Sequence, residues 1–97
     1  MNASTILTAA DCYMRNLLEA AQNNAAAYDP NRKETTITII QSLKSSATGI
    51  YCFAHDLICN CNEDEDKIIP LLNELEALYC DICKPTFDKL LREVKEK

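Results

Sequence analysis

Six cysteines and a single histidine are the residues of this 97-residue chain best suited to chemistry. Three of the seven fall in one short run, Cys52-x-x-His55-x-x-x-Cys59. On a helix, thiol, imidazole and thiol then lie within about 60° of one another, in line down one side. Thiolate and imidazole are ligands that zinc and copper(I) favour, so the column raises a metal site. Spacing restricts it. Cys52 and Cys59 stand two turns apart, about 10 Å along the axis, whereas a zinc–sulfur bond is about 2.3 Å long. One ion can therefore take at most a pair from each chain, Cys52 with His55 or His55 with Cys59. A second chain or another segment must complete the shell.

The other thiols suggest less. Cys80-Asp81-Ile82-Cys83 is a C-x-x-C, but redox chemistry wants the first cysteine at a helix N-terminus, where the dipole stabilises a thiolate. Here the pair comes late in a helical stretch, with no strand before it and with Asp81 adding negative charge. Cys83 instead falls on an apolar stripe, which makes it a core residue, and Cys80 borders that stripe. In a regular antiparallel hairpin Cys80 lies well over about 15 Å from Cys59, so Cys59, Cys61, Cys80 and Cys83 do not form one site. Folding the first two helices about residue 30 brings Cys12 within a turn of Cys52, but both thiols point outward and a reducing compartment opposes a disulfide. Catalysis has no foothold: there is no glycine-rich loop and no histidine–carboxylate pair, and nothing is placed to orient the imidazole of a Cys52–His55 dyad. The run Glu63-Asp64-Glu65-Asp66 lacks the glycine and closing glutamate of a calcium loop and reads as a solvated helix start.

The elements that carry these residues are helices. Leu7, Ala10, Met14, Leu17, Ala21, Asn24 and Tyr28 alternate by three and four, and Ile6, Tyr13, Ala20 and Ala27 widen that stripe. The spacing predicts a helix over about 4–28, capped by Ser4 or Thr8 and ended by Asp29-Pro30-Asn31. A second seam follows at Ile40, Leu43, Ala47, Ile50, Ala54 and Leu57. With Ile37, Ile39, Tyr51, Phe53 and Ile58 beside it, this helix is apolar around more than half its circumference. The run Thr35–Ile40 alternates like a strand, but with no partner strand it is assigned to the helix. Gly49 lies mid-helix, where it costs about 1 kcal/mol relative to alanine and leaves room for another backbone. A third stripe runs through Ile68, Leu72, Leu75, Tyr79, Cys83, Phe87, Leu90 and Val94. Pro85 interrupts it, which predicts a kink or a break into a short fourth helix over about 86–96.

Composition agrees. Apolar residues are 47% of the chain, and one glycine and three prolines leave little turn material. The expected fold is one all-α domain, residues 1–97, an elongated antiparallel three-helix bundle with its third helix kinked or split at Pro85. A formal charge of −5 speaks against nucleic acid or an anionic membrane as partner and leaves room for a basic protein. No leader is legible after Met1 and no run reaches about 18 apolar residues, so the expected setting is the cytoplasm. The surplus apolar surface of the second helix predicts self-association, most simply a dimer, through Ile39, Tyr51, Cys52, Phe53, His55, Ile58 and Cys59. The functional expectation is a non-enzymatic protein-interaction module, a regulator, adaptor or inhibitor, with no cofactor. The alternative is a thiol-rich bundle binding zinc or copper through pairs from Cys52, His55 and Cys59.

Overall fold

The computed structural model describes residues 2–97. Three helical rods run antiparallel along a long axis, with principal extents of 53 × 20 × 15 Å. Helix α1 spans Ala3–Ala26. Asn2, rather than Ser4 or Thr8, caps it: its Oδ1 accepts from the Thr5 N–H at 2.8 Å, satisfying one of the orphan donors of the first turn. Thr8 turns its hydroxyl back onto the Ser4 carbonyl instead. After α1 the Asp29 carboxylate accepts from the Asn31 N–H, and Pro30 opens a 3₁₀ turn over Pro30–Arg32. Helix α2, Lys33–Cys59, follows directly and contains the strand-like run 35–40.

At the opposite end of the rod the acidic turn does more than begin a helix. Glu63 Oε2 accepts from the backbone N–H of Ala3 at 2.7 Å, tying the start of α1 to the α2–α3 connection. The third rod is α3, Glu65–Ala77, and α4, Lys84–Lys95, joined through a π-helical turn over Leu78–Cys83. The expected kink or split at Pro85 is thus resolved as a continuous helix with one wide turn before the proline. The Lys84 N–H donates to the Tyr79 carbonyl, five residues back. Two causes combine. Proline has no N–H to return and its ring crowds the carbonyl four residues earlier. In addition, Leu75, Tyr79, Cys83, Phe87 and Leu91 repeat every four residues, and four such steps drift about 160° around a regular α-helix. A π turn takes up that drift, and all five side chains face the core.

This rod lies over the groove between α1 and α2, and its buried face meets both. Phe87, Met14, Ile40, Ile58, Leu75, Val94 and Cys83 are the largest wholly buried side chains. Along α1 the buried set is Ala3, Ile6, Leu7, Ala10, Met14, Leu18, Ala21 and Ala25. The seam expected at Leu17, Asn24 and Tyr28 therefore shifts by one residue after Met14, and those three are half-buried. In α2 the buried line is Ile37, Ile40, Ala47, Ala54 and Ile58, while Leu43 and Ile50 are half-buried and Leu57 is exposed. An α-helix drifts about 20° per heptad from a strict seven-residue repeat, so a straight rod follows the 3.6 period instead. None of the described helices is long and apolar enough to cross a membrane.

Candidate functional site

Three surfaces hold the candidate residues. The first is the flank of α2 toward the π turn. Tyr51 stacks face to face on Tyr79 at 4.5 Å between ring centroids, and His55 meets the edge of Tyr51 at 6.1 Å. The His55 ring Nδ1 and Cys59 Sγ are 3.6 Å apart, the i, i+4 contact that helix geometry requires. Cys52 and Cys59 are exposed and His55 is half-buried. Of the thiol–imidazole column, then, the structure joins one pair, His55 with Cys59. No group of three His, Cys, Asp or Glu side chains converges among the described residues.

The remaining thiols lie apart. All six cysteines are free; Cys12 and Cys80 are exposed, Cys61 is half-buried with its Sγ near the Leu57 carbonyl, and Cys83 is buried. Burial pushes the Cys83 thiol pKa up, with the Arg15 guanidinium pulling the other way and Asp11 adding to the rise. Cys83 is thus a neutral core thiol. Burial likewise raises the Tyr51 phenol, helped by negative charge at Cys80 and Glu76.

The second surface is a polar cleft of about 860 Å³ between α2 and α4. Its walls carry Lys44, Asp88, Arg92, Lys95 and Glu96. Lys44 Nζ donates to Asp88 Oδ1, and both side chains are partly exposed, so the pair adds only a few tenths of a kcal/mol (~0.2–1). Mixed charge of this kind, open to water, selects no single ligand.

The third surface is the side of the α1–α2 pair that the third rod leaves uncovered. Near the acidic tip, Ile6, Ala9, Ala10 and Tyr13 of α1 face Ile50, Phe53, Ala54 and Leu57 of α2 across an apolar groove of about 280 Å³. Tyr13 is 60% exposed and Phe53 67% exposed, so two aromatic rings stand free at its lip. Farther along the same side, a hollow of about 250 Å³ is lined by Asn24, Ala27, Thr35, Thr36 and Ile39, with Asp29 and Arg32 at the outer rim. Among the described residues, those two are the only charged ones lining either depression. The chain is 26% charged overall, so this surface has been depleted of charge, as the centres of protein interfaces are.

Placed on this frame, the expected interface residues separate. Ile39 and Phe53 lie on the open α1–α2 side. Tyr51, Cys52, His55 and Cys59 lie on the flank. Ile58 is 0% exposed in the chain's own core and has no surface to offer, and Tyr51 is covered by the chain's own Tyr79. The cause is the same departure of the straight helix from a heptad, which rotates Ile58 inward and Leu57 outward. Periodicity did hold a signal for the open groove: Ile6, Tyr13, Ala20 and Ala27 repeat by seven, as do Ile39, Ser46 and Phe53. No family model, curated protein or solved structure matches this chain.

Proposed function

We propose that this chain is a small helical protein-interaction module whose working surface is the open side of the α1–α2 pair. One observation carries the reading. Two exposed aromatic rings, Tyr13 and Phe53, flank an apolar groove on a face almost free of charge, in a chain of net charge −5. An aromatic anchor beside an apolar pocket is the usual centre of a protein interface, and a groove between two helices suits a third helix laid along it. The module acts as a regulator, adaptor or inhibitor by occupying a partner, with no step of bond chemistry.

The test is retention of bound protein. Wild-type chain and Phe53→Glu are immobilised and exposed to extract of the source organism, with retained proteins quantified against each other. A protein, including further copies of the chain itself, held by wild type and reduced at least about tenfold by Phe53→Glu is the expected result. Equal retention by the two refutes the reading. Phe53 is two-thirds exposed, so the variant is expected to keep the fold, which circular dichroism checks.

A second reading rests on the His55–Cys59 contact: a metal ion bound by this pair and completed from another chain. Metal content of protein purified without chelator decides it, and less than a quarter equivalent of zinc or copper would sink it.

A further inference from the structure

Building on the reading of the α1–α2 side as the binding surface, we infer that its occupant is a second copy of this chain, with the two rods antiparallel. Charge gives the first argument. Two copies of a chain with net charge −5 repel wherever charged surfaces meet, and the α1–α2 side is the face on which this cost is least. It also has the required size. A strip 24 residues of α1 long and two helices wide covers roughly 700 Å² per copy, against about 800 Å² for a standard stable interface.

Side-chain size decides the direction. Exposed bulky residues, Tyr13, Phe53 and Leu57, gather toward one end, and the hollow with Ala27 and Thr35 lies at the other. A two-fold axis crossing α1 between Asn16 and Leu17, and α2 beside Ser46, reverses one copy against the other. Tyr13 then lies over Ala20 of the second copy, and Leu57 over its Thr35 in the hollow. Bulk meets hollow at both ends. Parallel rods would instead crowd four aromatic rings at one end and leave the two hollows facing each other. The tips agree with the antiparallel choice. Glu63, Asp64, Glu65 and Asp66 cluster at the end where Glu63 holds the start of α1. At the opposite end Arg32 and Lys33 are balanced by Asp29 and Glu34, and there Lys33 Nζ meets the Lys97 carbonyl. Reversal sets each acidic tip beside this charge-balanced end, whereas parallel rods would set the two acidic tips together.

Sedimentation equilibrium under reducing conditions tests this with the full chain. Wild type is expected at twice the 10.9 kDa chain mass at micromolar concentration. Ala20→Lys places an unpaired charge at the centre of the contact and is expected to weaken the dimer by at least about 100-fold; Phe53→Glu gives the same loss at a site two-thirds exposed in the single chain. Tyr13→Glu/Ala20→Lys sets the new carboxylate of each copy against the new ammonium of the other and restores pairing at least about tenfold over Ala20→Lys. A wild type that sediments as a single chain overturns self-pairing and leaves the module reading to the retention test. A dimer unaffected by Ala20→Lys and Phe53→Glu places the contact elsewhere and overturns both. A double variant no tighter than Ala20→Lys overturns the antiparallel arrangement.

Discussion

The hydrogen bond between Thr48 and Tyr79 is the most informative single perturbation, because it tests the π turn, the helix packing and the polar chemistry together. Thr48 Oγ1 lies 3.0 Å from the Lys44 carbonyl and 2.6 Å from the Tyr79 hydroxyl. A hydroxyl has one proton, and the carbonyl can only accept, so Thr48 donates to Lys44 and Tyr79 must donate to Thr48. Tyr79 is 8% exposed and sits in the π turn, where the wide turn presents its ring to Tyr51 and its hydroxyl to α2. Thr48→Val keeps the shape of the side chain and removes the acceptor. A buried donor left without a partner costs about 1–3 kcal/mol. Thr48 is half-buried and water can reach part of the site, so about 1–1.5 kcal/mol is expected. That corresponds to a fall in Tm of roughly 4–12 °C for a domain of this size. Tyr79→Phe removes donor and demand together and should cost less, about 0.5–1 kcal/mol. Adding Thr48→Val to Tyr79→Phe should then cost little more, leaving a coupling of about 0.5–1 kcal/mol in the double-mutant cycle. Urea and thermal unfolding followed by circular dichroism measure all four chains. Additive losses, or a neutral Thr48→Val, would mean that Tyr79 does not donate to α2 and that the π turn is misplaced.

Other outcomes follow from the same structure. Native alkylation should modify Cys12, Cys52, Cys59 and Cys80 rapidly and Cys83 only at the rate of unfolding, as mass spectrometry of partly labelled protein will show; rapid labelling of Cys83 would contradict its burial. Folding raises the pKa values of both Cys83 and Tyr51, so their contribution to stability is present below the unfolded values, about 8.5 and 10, and is lost as pH climbs through the raised ones. Denaturant midpoints should hold steady to about pH 8 and decline above it, less steeply in Cys83→Ala; a rising midpoint would reverse the sign. Gly49 is exposed in α2, and a methyl group added there meets nothing within 4 Å. Gly49→Ala should therefore stabilise the single chain by about 1 kcal/mol, readable as a higher urea midpoint, and a loss of stability would reveal a close neighbour at that position.

Much of the bundle was legible along the chain. The helices were, because three-and-four spacing, scarce glycine and prolines at 30 and 85 leave few other ways to bury the apolar residues. Inward placement of Cys83, and outward placement of Cys12, Cys52 and Cys59, follow from the same wheel. Less legible was the rotation of each helix. Leu17 or Leu18, and Leu57 or Ile58, are adjacent apolar residues, and only contact with the other rods decides which of each pair is covered. The cap at Asn2 and the tie from Glu63 to Ala3 were hidden for a related reason: one depends on where the first turn begins, the other joins residues 60 apart in sequence.

Local chemistry therefore determined that this chain forms three antiparallel helical rods, that no single ion can span Cys52 and Cys59, and that the proline at 85 would disturb the last helix. Tertiary structure decided how that disturbance resolves, because a wide turn is favourable only when Tyr79, Cys83 and Phe87 all have a core to face. It also decided where the candidate surface lies. A sequence shows that a helix has two apolar sides, but not which side its own chain will cover. The third rod can lie on only one side of the α1–α2 pair, and by taking the side of Met14, Ile40 and Ile58 it leaves Tyr13 and Phe53 on the other.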